Sequence, residues 1–204
     1  MRFKLSLLLL FSLSFFASCQ KKPTPPPVPE VTYLPLSTGN WWEYVCCDSV
    51  HEDSLFVRLE IGDTLTLSEH RGFLYDSDFL PYPYDFIHDQ SDTVIIADTG
   101  DYSQRRILFI NKANVEADWE LYSVLFQYEV RAHQEEGLFE AELRNGEKFS
   151  ECIKVSTRAH FLGGGSEDLG VYFFAPDVGI VKFIPRSFLK DAALSFELHR
   201  YDLK

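Results

Sequence analysis

FEAELRNGEKFSECIKVSTRA, residues 139–159, is the stretch whose reading decides the fold. Phe139, Ala141 and Leu143 alternate with Glu140 and Glu142. Beyond a polar break, Ile153, Val155, Thr157 and Ala159 alternate with Cys152, Lys154, Ser156 and Arg158. A period of two marks a strand with one buried and one wet face, whereas a helix repeats about every 3.6 residues. Between the runs stands Asn145-Gly146, the pair that most readily takes the positive φ of a tight hairpin turn. The segment predicts an antiparallel hairpin.

The same period extends in both directions. Leu55, Val57, Leu59 and Ile61 alternate with Phe56, Arg58 and Glu60, and Tyr122, Val124, Phe126, Tyr128 and Val130 share one face of a long segment. Shorter apolar runs lie at 65–67, 73–75, 94–97, 107–110, 171–174, 180–184 and 196–203. Gly62-Asp63, His70-Arg71-Gly72, Gly163-Gly164-Gly165 and Pro176-Asp177 punctuate them. About ten short strands at this spacing predict an all-β domain, a single antiparallel, strongly curved meander sheet that is half-barrel or barrel-like. No strand–helix alternation supports a parallel sheet. One short helix is expected over Phe188–Leu198.

The chain has 204 residues, 46% of them hydrophobic, enough for one domain with a real core and too apolar for a disordered tail. The 31 acidic against 19 basic side chains, net −12, argue against nucleic acid and anionic membrane faces as partners.

The N-terminus reads as an address. Arg2 and Lys4 precede an unbroken apolar run from Leu5 to Ala17, roughly 20 Å as a helix and too short to span a bilayer. This is the pattern of a secretory signal peptide over residues 1–18. Phe16-Ala17-Ser18-Cys19 resembles the lipobox of bacterial lipoproteins, with Phe16 in place of the usual leucine. That resemblance implies cleavage before Cys19, acylation of its thiol and new amine, and a membrane partner held through acyl chains. Gln20, in place of a retaining aspartate, implies the outer membrane, and Lys21 and Lys22 favour a periplasm-facing leaflet. Loss of residues 1–18 leaves 31 acids and 17 bases, net −14. Residues 19–30 contain PTPPPVP, a stiff tether that extends about 3.1 Å per residue. The β domain is expected over 31–204.

A second resemblance concerns the domain. Pro35-Leu36-Ser37-Thr38-Gly39-Asn40-Trp41-Trp42-Glu43-Tyr44 is similar to the opening of uncharacterised bacterial outer-membrane lipoproteins with a Pro-Leu-x-x-Gly-Asn-x-Trp-x-Tyr pattern. Ala175-Pro176-Asp177-Val178-Gly179-Ile180-Val181-Lys182 resembles their C-terminal motif, and Gly146–Val155 fits a recurring Ile-Lys-Val strand. These motifs imply a fold and a compartment; none carries a catalytic role.

Chemistry-bearing residues are weighed against plainer roles. With Cys19 acylated, Cys46, Cys47 and Cys152 remain. A Cys46–Cys47 bridge would strain the backbone, so the expected disulfide joins Cys46 or Cys47 to Cys152; buried free thiols are the alternative. Asp98-Thr99-Gly100 has the core of an aspartic protease motif, but a turn explains it, since no second copy is present. The acids at 76, 78, 85, 89 and 92 lack the spacing of a calcium loop. The six histidines show no zinc spacing, and the triple glycine is not followed by a helix that would cradle phosphate. No metal or cofactor is expected. Tyr82, Tyr84 and Phe86 lie in a Tyr/Pro-rich stretch that is read either as an aromatic recognition loop or as a loop packed by its own rings.

Three functions follow from these readings. The favoured one is a lipid-anchored, non-catalytic binding or interaction module for an unidentified protein. The alternative is a carrier of a small apolar ligand, a lipid or acyl chain, in a curved β-sheet cavity. The third, a hydrolase using paired carboxylates, has no spacing that demands it.

Overall fold

A computed structural model of the chain describes residues 31–47, 55–77, 84–124, 127–185 and 195–204. The signal peptide, Cys19, the tether and Tyr82 lie outside the described residues. Val31–Lys204 forms a compact unit of its own.

Among the described residues every regular element is a strand. The first six are β1 (Trp41–Cys47), β2 (Phe56–Leu67), β3 (His70–Ser77), β4 (Phe86–Gln90), β5 (Thr93–Asp98) and β6 (Asp101–Ile110). Then come β7 (Ala117–Val124), β8 (Tyr128–Gln134), β9 (Phe139–Glu142) and β10 (Lys148–Phe161). The last three are β11 (Ser166–Ala175), β12 (Gly179–Pro185) and β13 (Ser195–Asp202). They form one antiparallel sheet in the order β6-β5-β4-β3-β2-β1-β13-β12-β11-β10-β8-β7, with β9 added to β10. Chain neighbours pair except β6 with β7 and β8 with β9, β8 pairing β10 instead, and the first and last strands meet, Trp42 opposite Tyr201. Among the described residues the meander is thus a nearly closed barrel whose path is open between β6 and β7.

That seam is held by side chains in place of a ladder. The Trp119 indole donates to the Ile107 carbonyl at 2.6 Å, and Arg106 stands 3.7 Å from Glu120. Gln134, fully buried, accepts from Ile110 N at 3.0 Å and donates to the Lys112 carbonyl at 2.8 Å. A buried amide must satisfy both its ends, and here it does so by pinning the chain between β6 and β7.

The Asn145-Gly146 hairpin forms as read. Gly146 has φ +86°, Leu143 N donates to Glu147 O at 2.8 Å, and the Asn145 side chain caps Glu147 N. Ile153, Val155, Thr157 and Ala159 all point inward and are buried. Several readings change, and Gly62-Asp63 and His70-Arg71-Gly72, read as turns, lie inside β2 and β3. The run from Tyr122 to Val130 is not one strand: it folds back, and Tyr122 pairs with Val130 and Val124 with Tyr128. Tyr122 and Val130 share a face because a hairpin keeps paired residues on one side of the sheet. Of the helix expected over Phe188–Leu198, residues 195–198 belong to β13; the rest lies outside the described residues. Phe196 and Leu198 face the core there and Glu197 faces out, the period of a strand.

One end of the barrel is sealed by the chain's own entry segment. Thr32 O accepts from Asp177 N and Thr32 N donates to the Asp177 carboxylate, Tyr33 N donates to the Asn111 side chain, and Leu34 is fully buried. Asn40, also buried, donates to Pro35 O and accepts from Lys204 N, tying both termini of the domain.

Candidate functional site

The two motifs that bracket the domain in sequence meet inside it. Trp42 and Tyr44 alternate inward from β1, both fully buried, and reach past β13 to the backbone of the 175–182 segment. The Trp42 indole donates to Val178 O, and the Tyr44 hydroxyl donates to Ile180 O at 3.0 Å. Gly179 lies beneath them with φ +105°, and a methyl group there would stand 3.1 Å from both Leu34 Cδ1 and Trp42 Nε1. Only glycine suits that conformation and that approach. The motifs therefore weld the sealed end of the barrel. Phe109 and Phe174 stack beside them at 4.2 Å, so the waist is filled by its own rings.

Toward the other end the inward face changes character. Tyr172, Phe183 and Phe196, on three consecutive strands, stack with near-parallel rings at 4.2 and 6.0 Å and are only half-buried. Phe183 lies over Gly170, where a Cβ would come within 2.6 Å of the ring. Tyr75 is 7% exposed, yet among the described residues its buried hydroxyl has no hydrogen-bond partner. A buried hydroxyl left unpaired costs about 1–3 kcal/mol. Burial pushes its ionisation well above the ordinary tyrosine range, with Asp85, Tyr84 and Tyr172 adding to the effect. Burial likewise raises Tyr122, with Tyr128 and Tyr84 next in order, and Tyr172, with Tyr122 next. Tyrosines 75, 84, 122 and 172 are thus close enough to feel one another inside the barrel.

The outward face of β7, β8, β10 and β11 carries a groove of about 660 Å³. Cross-strand register builds it in two rows. Asp118, His133 and Ser156 stand opposite one another, and beside them Glu120, Arg131, Arg158 and Asp168. Asp118 contacts His133 at 3.1 Å and Arg158 holds Asp168 at 2.7 Å. The Ser156 hydroxyl turns to Glu135 at 3.5 Å, away from a nucleophile–base pairing with His133. What the rows present is charge of both signs on rigid strands, with Arg131 and Arg158 side by side at the centre.

A third cluster sits on the outward face of β3–β6. Phe86, Ala97 and Tyr102 pack together under Leu65 and Leu67. His88, 2% exposed, bonds Tyr102 through Nε2 at 2.9 Å and meets the Asp89 carbonyl through Nδ1 at 3.2 Å, with the His70 ring stacked at 5.1 Å. Burial holds its pKa below the ordinary value, with His70 and Arg105 acting the same way against the Asp89 bond.

The residues singled out from sequence are placed as follows. Tyr84 and Phe86 are buried, Tyr84 in the barrel core and Phe86 in the outer cluster, so they pack and do not present an exposed aromatic loop. The expected disulfide to Cys152 does not form: Cys152 is a free thiol, buried, donating to the Phe149 carbonyl at 3.4 Å. The reason is topological, since β13, β12 and β11 lie between the strand of Cys46 and Cys47 and that of Cys152. Burial pushes the Cys152 thiol up to about 11, away from reactivity. Asp98-Thr99-Gly100 is the β5–β6 turn, with Gly100 N bonded to Asp98 and both Thr99 donors bonded to the Asp85 carboxylate. Among the described residues no group of three or more acids, histidines or cysteines is arranged to hold a metal. Tyr75, Tyr172 and the groove rows escaped sequence reading because their partners lie across strands, and no local motif encodes that.

No protein-family model matches the chain, and no curated protein matches it significantly. Among solved structures it is similar to a "putative lipoprotein" from Parabacteroides distasonis ATCC 8503, at 12% identity and a TM-score of 0.46 over 84% of this chain and 99% of that one. It is also similar to a "putative exported protein with YmcC-like fold" from Bacteroides fragilis NCTC 9343, at 10% identity and a TM-score of 0.40 over 85% of this chain and 100% of that one.

Proposed function

We propose that the protein is a lipid-anchored envelope protein, held in the outer membrane through acylated Cys19 and facing the periplasm, whose β domain is a non-catalytic binding module. The observation that carries the reading is the contrast between the two faces of the barrel. The inward face is largely consumed by the domain's own packing, while the outward face of β7–β11 presents an open groove carrying charge of both signs. Such a surface suits a protein partner of complementary charge pattern, which gains specificity from register more than from area. The chain enters the domain at the sealed end, next to Asp177.

Two measurements test this. Cys19→Ala abolishes incorporation of a clickable palmitate analogue and releases the protein from the membrane fraction; persistent membrane association of that variant removes the anchor from the account. In-cell cross-linking from the groove captures a partner, and Arg131→Glu with Arg158→Glu abolishes that capture at unchanged thermal midpoint. Capture indifferent to both reversals rejects the groove as the binding surface.

Carriage of an apolar ligand is favoured by one observation, the half-buried aromatic stack at the end of the interior opposite the entry segment. The filled waist confines that reading to a small molecule.

A further inference from the structure

We infer that this end of the interior binds a small molecule with a flat apolar body and a hydrogen-bond acceptor. The body lies against the Tyr172–Phe183–Phe196 stack and the acceptor takes the bond offered by the Tyr75 hydroxyl. The inference deepens the carrier reading and is independent of the groove.

Four observations converge on it. First, the three rings belong to adjacent strands and are nearly parallel, 15° and 16° apart, so they form a continuous wall and not an interdigitated core. Second, the wall faces inward yet is half-buried, whereas inward residues at the waist such as Trp42, Tyr44 and Ile180 are fully buried. Third, the Tyr75 hydroxyl is a donor without an acceptor among the described residues, in a molecule where the Tyr44 hydroxyl, equally interior, has one. Fourth, the chain uses tyrosine at 75, 84, 122 and 172 in one neighbourhood, although it holds 18 phenylalanines that would fill space without an oxygen to satisfy. Buried hydroxyls kept in an apolar barrel are costly as filler and useful for orienting a ligand. Gly170 keeps Phe183 in the wall, since any larger residue would displace the ring. A flat apolar body meets the edges of the parallel rings in edge-to-face contact, and its acceptor matches the unsatisfied Tyr75 donor.

The test uses the mature chain from Gln20, which keeps the whole β domain and lacks the acylated cysteine. The probe is prodan, a neutral naphthalene ketone, chosen because a chain this acidic repels anionic dyes. Prodan is expected to bind saturably at one site per chain, with the emission shift of a desolvated, hydrogen-bonded carbonyl. Tyr75→Phe keeps the ring and removes the donor: affinity falls roughly tenfold, the worth of one buried hydrogen bond. The unliganded thermal midpoint of this variant is not lowered, because the hydroxyl makes no bond in the empty domain. Phe196→Leu weakens binding without touching the hydroxyl bond, so its carbonyl signature persists at saturation. Equal prodan affinity in Tyr75→Phe, non-saturable binding, or a lowered midpoint of unliganded Tyr75→Phe overturns the inference. Binding is read with no partner present, so its failure leaves the groove test standing, and failure of groove capture leaves this result standing.

Discussion

His88 shows how much a single position depends on its surroundings. In sequence it is one of six histidines without metal spacing. In the fold both ring nitrogens are engaged and the ring is enclosed by His70 from β3 and by Tyr102 and Arg105 from β6. Its pKa is lowered, so the folded state resists taking up a proton that the unfolded chain accepts near the ordinary value of 6.5. Stability therefore falls as the pH drops below that value and continues to fall until the depressed folded pKa is passed. Urea unfolding at a series of pH values between 7.5 and 5, roughly the window in which an ordinary histidine titrates, reads this directly. In His88→Gln, which keeps a partner for Tyr102 and cannot titrate, the slope over that window is expected to flatten; an unchanged slope assigns the pH dependence elsewhere.

At the scale of elements, turns and strands agree where the chemistry is local and part where it is not. Asn145-Gly146 announced its hairpin because the pair itself favours positive φ. The β2–β3 hairpin turns through Ser68-Glu69, both at positive φ, 48° and 72°, residues that no reading of turn propensity selects. Pairing of Leu67 with His70 leaves two residues for the turn and forces them there. That geometry is strained for Ser and Glu, and Asn-Gly fits it. The double change Ser68→Asn and Glu69→Gly is expected to stabilise the domain by about 0.5–1 kcal/mol, a rise of a few degrees in thermal midpoint. A fall would mean that the tip makes contacts worth more than the strain. The β9–β10 hairpin adds a second lesson. Glu197 is buried on the outward face of β13, where Arg144 N, Lys182 and Ser195 bond its carboxylate. Burial alone would raise its pKa, and these bonds outweigh it and hold the group below the carboxylate range. The hairpin thus docks through a charge that sequence marks only as one more acid.

For the whole molecule the decisive feature is the seam. A sheet this curved exposes two edges unless they are joined, and free edges invite pairing with other chains. Here Trp119 and Gln134 join them through three hydrogen bonds. Trp119→Phe keeps an aromatic ring and strands the Ile107 carbonyl, so it is expected to cost about 1–3 kcal/mol in urea unfolding. Size-exclusion chromatography should show a growing dimer or aggregate fraction for the same variant, as β6 and β7 part. An unchanged unfolding midpoint would show that the seam closes without the indole.

By itself the sequence determined the all-β class, the alternation of most strands and the Asn145-Gly146 turn, because alternation and turn chemistry are encoded within a few consecutive residues. It also exposed Trp42, Tyr44 and Gly179 as members of motifs, though not what joins them. Only the tertiary structure decided that Trp42 and Tyr44 donate to Val178 and Ile180, that Cys152 stays a thiol, and that Tyr84 and Phe86 are buried. It alone brought Tyr75 near Tyr172 and set Arg131 beside Arg158. Each of these depends on which strand becomes whose neighbour and in what register, a choice made by burial of the whole sheet at once and written in no single segment.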